Sequence, residues 1–150
     1  MEYKQVVELE NRLISLLKEE YGFYQSLYIL IDKQKDLLRY DRDQKILSVY
    51  EEIKRMEKRI GESEQNISQL RNDNRKLFNL AATSPEVRKL VNSISTLIRK
   101  NLSMIKENEE FANDRYLRIK EELEVLKNSQ KLVQYTSSQA EKARILDGKG

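Results

Sequence analysis

Any chemistry in this chain has to come from carboxylates, amines, amides and phenols. Its 150 residues include no His and no Cys. The first absence removes the commonest general base and metal ligand. The second removes disulfides and thiolate metal sites. Asp41 and Asp43 are a paired-carboxylate candidate, but on a polar turn they read as helix caps, because a short side-chain oxygen accepts an orphan backbone N–H there. Glu51-Glu52 and Glu121-Glu122 flank helix faces and read as solvated charges. With four Gly spread along the chain there is no Gly-rich phosphate loop. The sequence predicts no catalytic residue, no metal site and no cofactor, and therefore a protein that is not an enzyme.

Two groups of residues are suited to binding instead. Tyr21, Tyr24 and Tyr28 recur at helical spacing. They either pack against another helix with their hydroxyls at the rim, or form a partner patch, since Tyr suits a surface apolar on one side and wet on the other. The stretch from Tyr116 to Val133 is the stronger candidate. Tyr116, Ile119, Leu123, Leu126 and Val133 lie on one stripe of a helix and need something to cover them. That cover is another protein, packed helix to helix or helix to groove, or else the bundle itself or a second copy of the chain.

The elements that carry these groups are legible as a mirror. Positions 6, 9, 13, 16, 20, 23, 27, 30, 34 and 37 advance by alternating threes and fours, and eight of the ten are apolar. Positions 46, 49, 53, 56, 60, 63, 67, 70, 74 and 77 do the same, again with eight apolar members. Such steps keep side chains on one helical stripe. Each position of the first run has a partner in the second whose number sums with it to 83. The fold point then falls within Tyr40-Asp41-Arg42-Asp43, the polar break between the runs. This predicts a long antiparallel helical hairpin, pairing Phe23 with Ile60 and Leu13 with Leu70. Gly22 and Gly61 obey the same sum, and read either as coincidence or as a shared flexible waist.

Helix one is predicted over residues 3–38 and helix two over 42–81. Helix one carries a second stripe, Ile14, Leu17, Tyr21, Tyr24, Tyr28, Ile31 and Leu38, so it must touch two neighbours. Thr83-Ser84-Pro85-Glu86 marks the next boundary: Pro is tolerated in a first turn, Ser or Thr before it caps, and Glu suits the positive helix end. Helix three is predicted over 85–135, longer than its partners. Its early stripe, through Val91, Ile94, Leu97 and Ile98, shifts phase at Leu102 and then runs through Ile105, Ala112 and Tyr116 to Val133. Residues 136–150 read as a flexible tail. The fold class is all-α: an elongated three-helix bundle or coiled coil, one domain over 1–135.

Composition narrows the partners. Lys and Arg number 28 against 25 Asp and Glu, interspersed along the chain, so no basic block tracks a phosphate backbone and nucleic acid is not expected. The densest apolar run, Leu27 to Ile31, is far short of a membrane span. No basic region followed by an apolar core opens the chain. A cytoplasmic protein without stable membrane insertion is expected, as a monomer or weak homodimer.

From Asn101 onward the chain resembles the C-terminal part of FlgN-type flagellar export chaperones. The likeness rests on Asn101, Asn108 and Phe111, then Leu123-Glu124-Val125-Leu126-Lys127, then Tyr135, and on the ending Ile145-Leu146-Asp147-Gly148-Lys149. Earlier residues fit loosely: Glu19-Glu20 mid-helix, and Gln34-Lys35 before Leu37-Leu38. The family often has Gly soon after its tyrosine, where this chain has Thr136-Ser137-Ser138. The resemblance implies a chaperone that covers the C-terminal helix of hook–filament junction proteins and delivers them to the export gate and its ATPase apparatus. Tyr116, Ile119, Leu123, Leu126 and Val133 would then bind the client, and Tyr135 would dock at the gate. A FliT-type filament-cap chaperone is the alternative within the same system. A structural coiled-coil tether or assembly subunit is the alternative outside it.

Overall fold

The computed structural model describes the backbone of residues 2–40 and 43–148, and side chains across 3–40, 44–131 and at 134. Among the described residues the secondary structure is helical, in four elements: α1 (Glu2–Arg39), α2 (Asp43–Asp73), α3 (Arg75–Ala81) and α4 (Pro85–Gly148). None of these helices is long and apolar enough to cross a membrane. The chain divides into two compact units, Met1–Glu109 and Glu110–Gly150.

In the first unit α1 and α2 form the predicted antiparallel hairpin. Leu13, Leu27, Leu37, Val49, Ile53, Ile60 and Leu70, all from the mirrored runs, are buried in one core. The second stripe of α1 is buried as well, through Ile14, Leu17, Tyr24 and Ile31. It faces the start of α4, whose buried positions are Val87, Ile94, Asn101 and Asn108, each seven residues after the last. Asn101 donates its side-chain amide to the Tyr24 carbonyl oxygen and Asn108 donates to that of Ile31, and both bonds span 77 positions. A constant difference in number means that α4 runs parallel to α1, whereas the hairpin partners share a constant sum. The order is therefore up, down, up, as short connections require.

Two expectations are corrected here. Helix two is not continuous to 81. It breaks at Asn74, whose backbone is extended (φ −156°, ψ 90°) and whose side chain accepts from the Leu77 N–H at 3.1 Å, making it the N-cap of α3. Asn is among the strongest cap formers and the short α3 packs back on α1, so local capping outweighs continuation. Second, the buried seam of α4 does not change phase at Leu102, which is exposed. The seam keeps its seven-residue step and turns polar at Asn101 and Asn108. The helical backbone of α4 runs on to Gly148. No Gly or Pro interrupts Gln139-Ala140-Glu141-Lys142-Ala143-Arg144, all good helix formers.

Pro85 opens α4 as expected. Before it the chain turns tightly: the Thr83 N–H reaches the Leu80 carbonyl at 3.2 Å, and the Ser84 N–H that of Ala81 at 3.1 Å. The Arg88 N–H bonds to the Ser84 carbonyl at 3.0 Å, completing the first turn. Asp41 lies outside the described residues, and so does the side chain of Asp43, the first residue of α2. Their capping roles fall outside the described structure.

Candidate functional site: the apolar stretch of residues 110–131

Residues 110–131 form one helical segment of the second unit, and none of their side chains is buried. Tyr116, Leu117, Ile119, Leu123, Val125 and Leu126 are all exposed, Leu123 to 57%. Singly exposed apolar residues are ordinary on a protein surface, but six large ones within eleven positions are not. Helical geometry sorts them. Tyr116, Ile119, Leu123 and Leu126 follow the three-four step and share a stripe, with Lys120 and Lys127 along one edge and Glu122 along the other. Leu117 and Val125 lie beyond these edges, on the far side of the helix. Arg115, half-buried, immediately precedes the stripe. Such a surface can bury apolar area against another helix.

Four of the five residues singled out as client-binding are thus placed together on one accessible stripe. The side chain of the fifth, Val133, lies outside the described residues, as does that of Tyr135, to which gate docking was assigned.

The tyrosine stripe of α1 is split by its surroundings. Tyr24 is buried and donates its hydroxyl to Glu64 Oε1 at 3.1 Å. Burial, with Glu64 second, pushes that hydroxyl up from its usual range. Tyr21 is half-buried and lines an open cleft with Pro85, Glu86, Lys89, Leu90 and Ser93 of α4. Tyr28 is exposed. Tyr24 is therefore core, and the three do not form one continuous partner surface.

The periodicity that follows apolar residues misses a set of buried polar ones. Glu20, Ser63, Asn101 and Asn108 are each 6% exposed or less. Ser63 Oγ and the Oδ1 atoms of both asparagines are buried with no hydrogen-bond partner. Two signals could have found them. Glu20 and Ser63 are members of the mirrored runs and sum to 83, and Asn101 and Asn108 continue the seven-residue step from Val87 and Ile94.

No family model, no curated protein and no solved structure matches this chain.

Proposed function

We propose that the chain is a cytoplasmic export chaperone of the flagellar type III secretion system. It covers the C-terminal helical segment of a hook–filament junction protein and hands it to the export gate. The observation that carries this reading is the exposed stripe Tyr116, Ile119, Leu123 and Leu126, in a segment with no buried side chain of its own. The resemblance supplies the client class. A client helix laid on this stripe loses apolar surface at roughly 25 cal/mol per Å², offset by the entropy of ordering both segments. Binding of that kind requires no cofactor and remains reversible, as hand-off demands. Tyr135 is assigned to docking at the gate.

One observation favours a second reading. The seam Val87, Ile94, Asn101 and Asn108 is a true heptad, as in a structural coiled-coil tether. The two are separated by mixing the full chain with an intact junction protein, and separately with a filament-cap protein, followed by size-exclusion chromatography. A one-to-one complex with the junction protein supports the first reading. A complex with the cap protein alone makes it a FliT-type chaperone. Binding to neither leaves the tether.

A further inference from the structure

Halfway along the hairpin the core is interrupted by a polar layer. Glu20 of α1 is only 6% exposed, and Ser63 of α2, its mirror partner, only 4%. Next to Ser63 on α2 is Glu64, whose Oε1 accepts the Tyr24 hydroxyl. Helical side chains lean toward their own N-terminus, so the Tyr24 hydroxyl sits near the level of Glu20. Two carboxyl groups and a phenol therefore meet at one level. From α4, Asn101 gives its amide to the Tyr24 carbonyl, about one turn beyond Glu20 on α1, so its unpartnered Oδ1 lies past this level. The charged residues of α4 nearest this level, Arg99 and Lys100, are exposed, as are Glu86, Arg88 and Lys89 at its start, and Lys18 of α1 pairs with Glu86 at 3.6 Å. None of these cations is buried with Glu20.

A charge in such a place is costly. An ionised buried carboxylate needs a cation or several donors, and a second carboxylate opposite makes it worse. A neutral carboxyl group does not have this problem, and its O–H adds a donor to a layer holding the unpartnered Ser63 Oγ. Gly22 and Gly61, which also mirror each other, adjoin this level. An added Cβ would meet nothing within 4 Å at either, so no close approach requires them. They lower helix propensity beside the polar layer.

We propose that Glu20 is a proton-binding site that links the folding of the Met1–Glu109 unit to pH: neutral Glu20 closes the layer, and its ionisation opposite Glu64 weakens the bundle. In support, burial first and Glu64 second raise the Glu20 carboxyl from 4.5 to about 7. The folded state then holds a proton that the unfolded chain releases near 4.5. The contribution of Glu20 to stability is consequently full below that value and is lost as pH rises through about 7. The chain has no His, so no other kind of side chain ordinarily titrates between pH 5.5 and 8. This inference stands apart from the chaperone reading and does not depend on it.

The test is urea unfolding of the full chain at fixed salt from pH 5 to pH 8. The unfolding equilibrium constant of the wild type should rise about tenfold or more across that range. Glu20→Gln, which keeps the shape and removes the charge, should flatten the dependence, and Glu64→Gln should reduce it. A Glu20→Gln protein with the wild-type slope overturns the proposal. Carboxyl carbon NMR of the folded wild type gives a second reading that needs no variant to fold. One Glu resonance should titrate near pH 7, and a full set titrating below pH 5.5 overturns the proposal equally.

Discussion

Asn108 donates its side-chain amide to the Ile31 carbonyl oxygen at 3.0 Å. The same Nδ2 lies 3.1 Å from Gln34 Oε1, so both amide hydrogens are used on α1. One heptad earlier Asn101 bonds to Tyr24, and at the surface Lys35 pairs with Glu107 at 3.3 Å. These bonds fix which turn of α4 lies beside which turn of α1, a task that apolar contacts perform poorly because Leu and Ile tolerate sliding. Buried Asn sets register in coiled coils at a cost in stability.

Asn108→Ala should therefore destabilise the protein by about 1–2 kcal/mol, the value of lost buried hydrogen bonds. Urea unfolding at constant pH measures it. Asn108→Leu should instead leave stability equal or higher, since the unpartnered Oδ1 disappears with the amide. Its cost should show as lost register: cysteines placed at Lys35 and Glu107 should cross-link efficiently in the wild-type background and poorly in the Leu variant.

Ile31 and Leu123 are both aliphatic, and their surroundings are opposite. Ile31 is 0% exposed, at the meeting of hairpin and α4. Ile31→Ala should cost about 2–5 kcal/mol in thermal or urea unfolding. Leu123→Ala touches no core and should change stability by less than about 0.5 kcal/mol.

Asn74→Ala removes a cap and should cost about 1 kcal/mol. The loss should be local. Hydrogen exchange at the Leu77 amide, which Asn74 Oδ1 accepts, should quicken more than exchange at Ile53 in the middle of α2.

The hairpin was legible because one physical rule controls it: every buried apolar residue of α2 lies on the mirrored run, as do Leu13, Leu27 and Leu37 of α1. The second stripe of α1 was legible for the same reason and correctly required a third helix. That rule fails where a polar residue is buried, because hydropathy then points the wrong way. It led past Asn101 and Asn108 to the exposed Leu102, and it passed over Glu20 and Ser63 as gaps in a stripe. Asn74 sat at a stripe position too, and only its preference for capping marked the break. At the candidate site, Tyr116, Ile119, Leu123 and Leu126 were found from spacing alone. Their exposure was not readable, since an apolar stripe looks the same whether covered or bare.

Calorimetric titration of the full chain with a peptide from the C-terminal helix of a hook–filament junction protein tests the central claim most directly. The wild type should bind the peptide. Replacing Leu123 and Leu126 together by Ala removes two anchors, and should weaken binding at least about tenfold, which is about 1.4 kcal/mol. The melting curve should be unchanged. A double variant that binds as tightly as the wild type, or a wild type that binds no such peptide, would contradict the account.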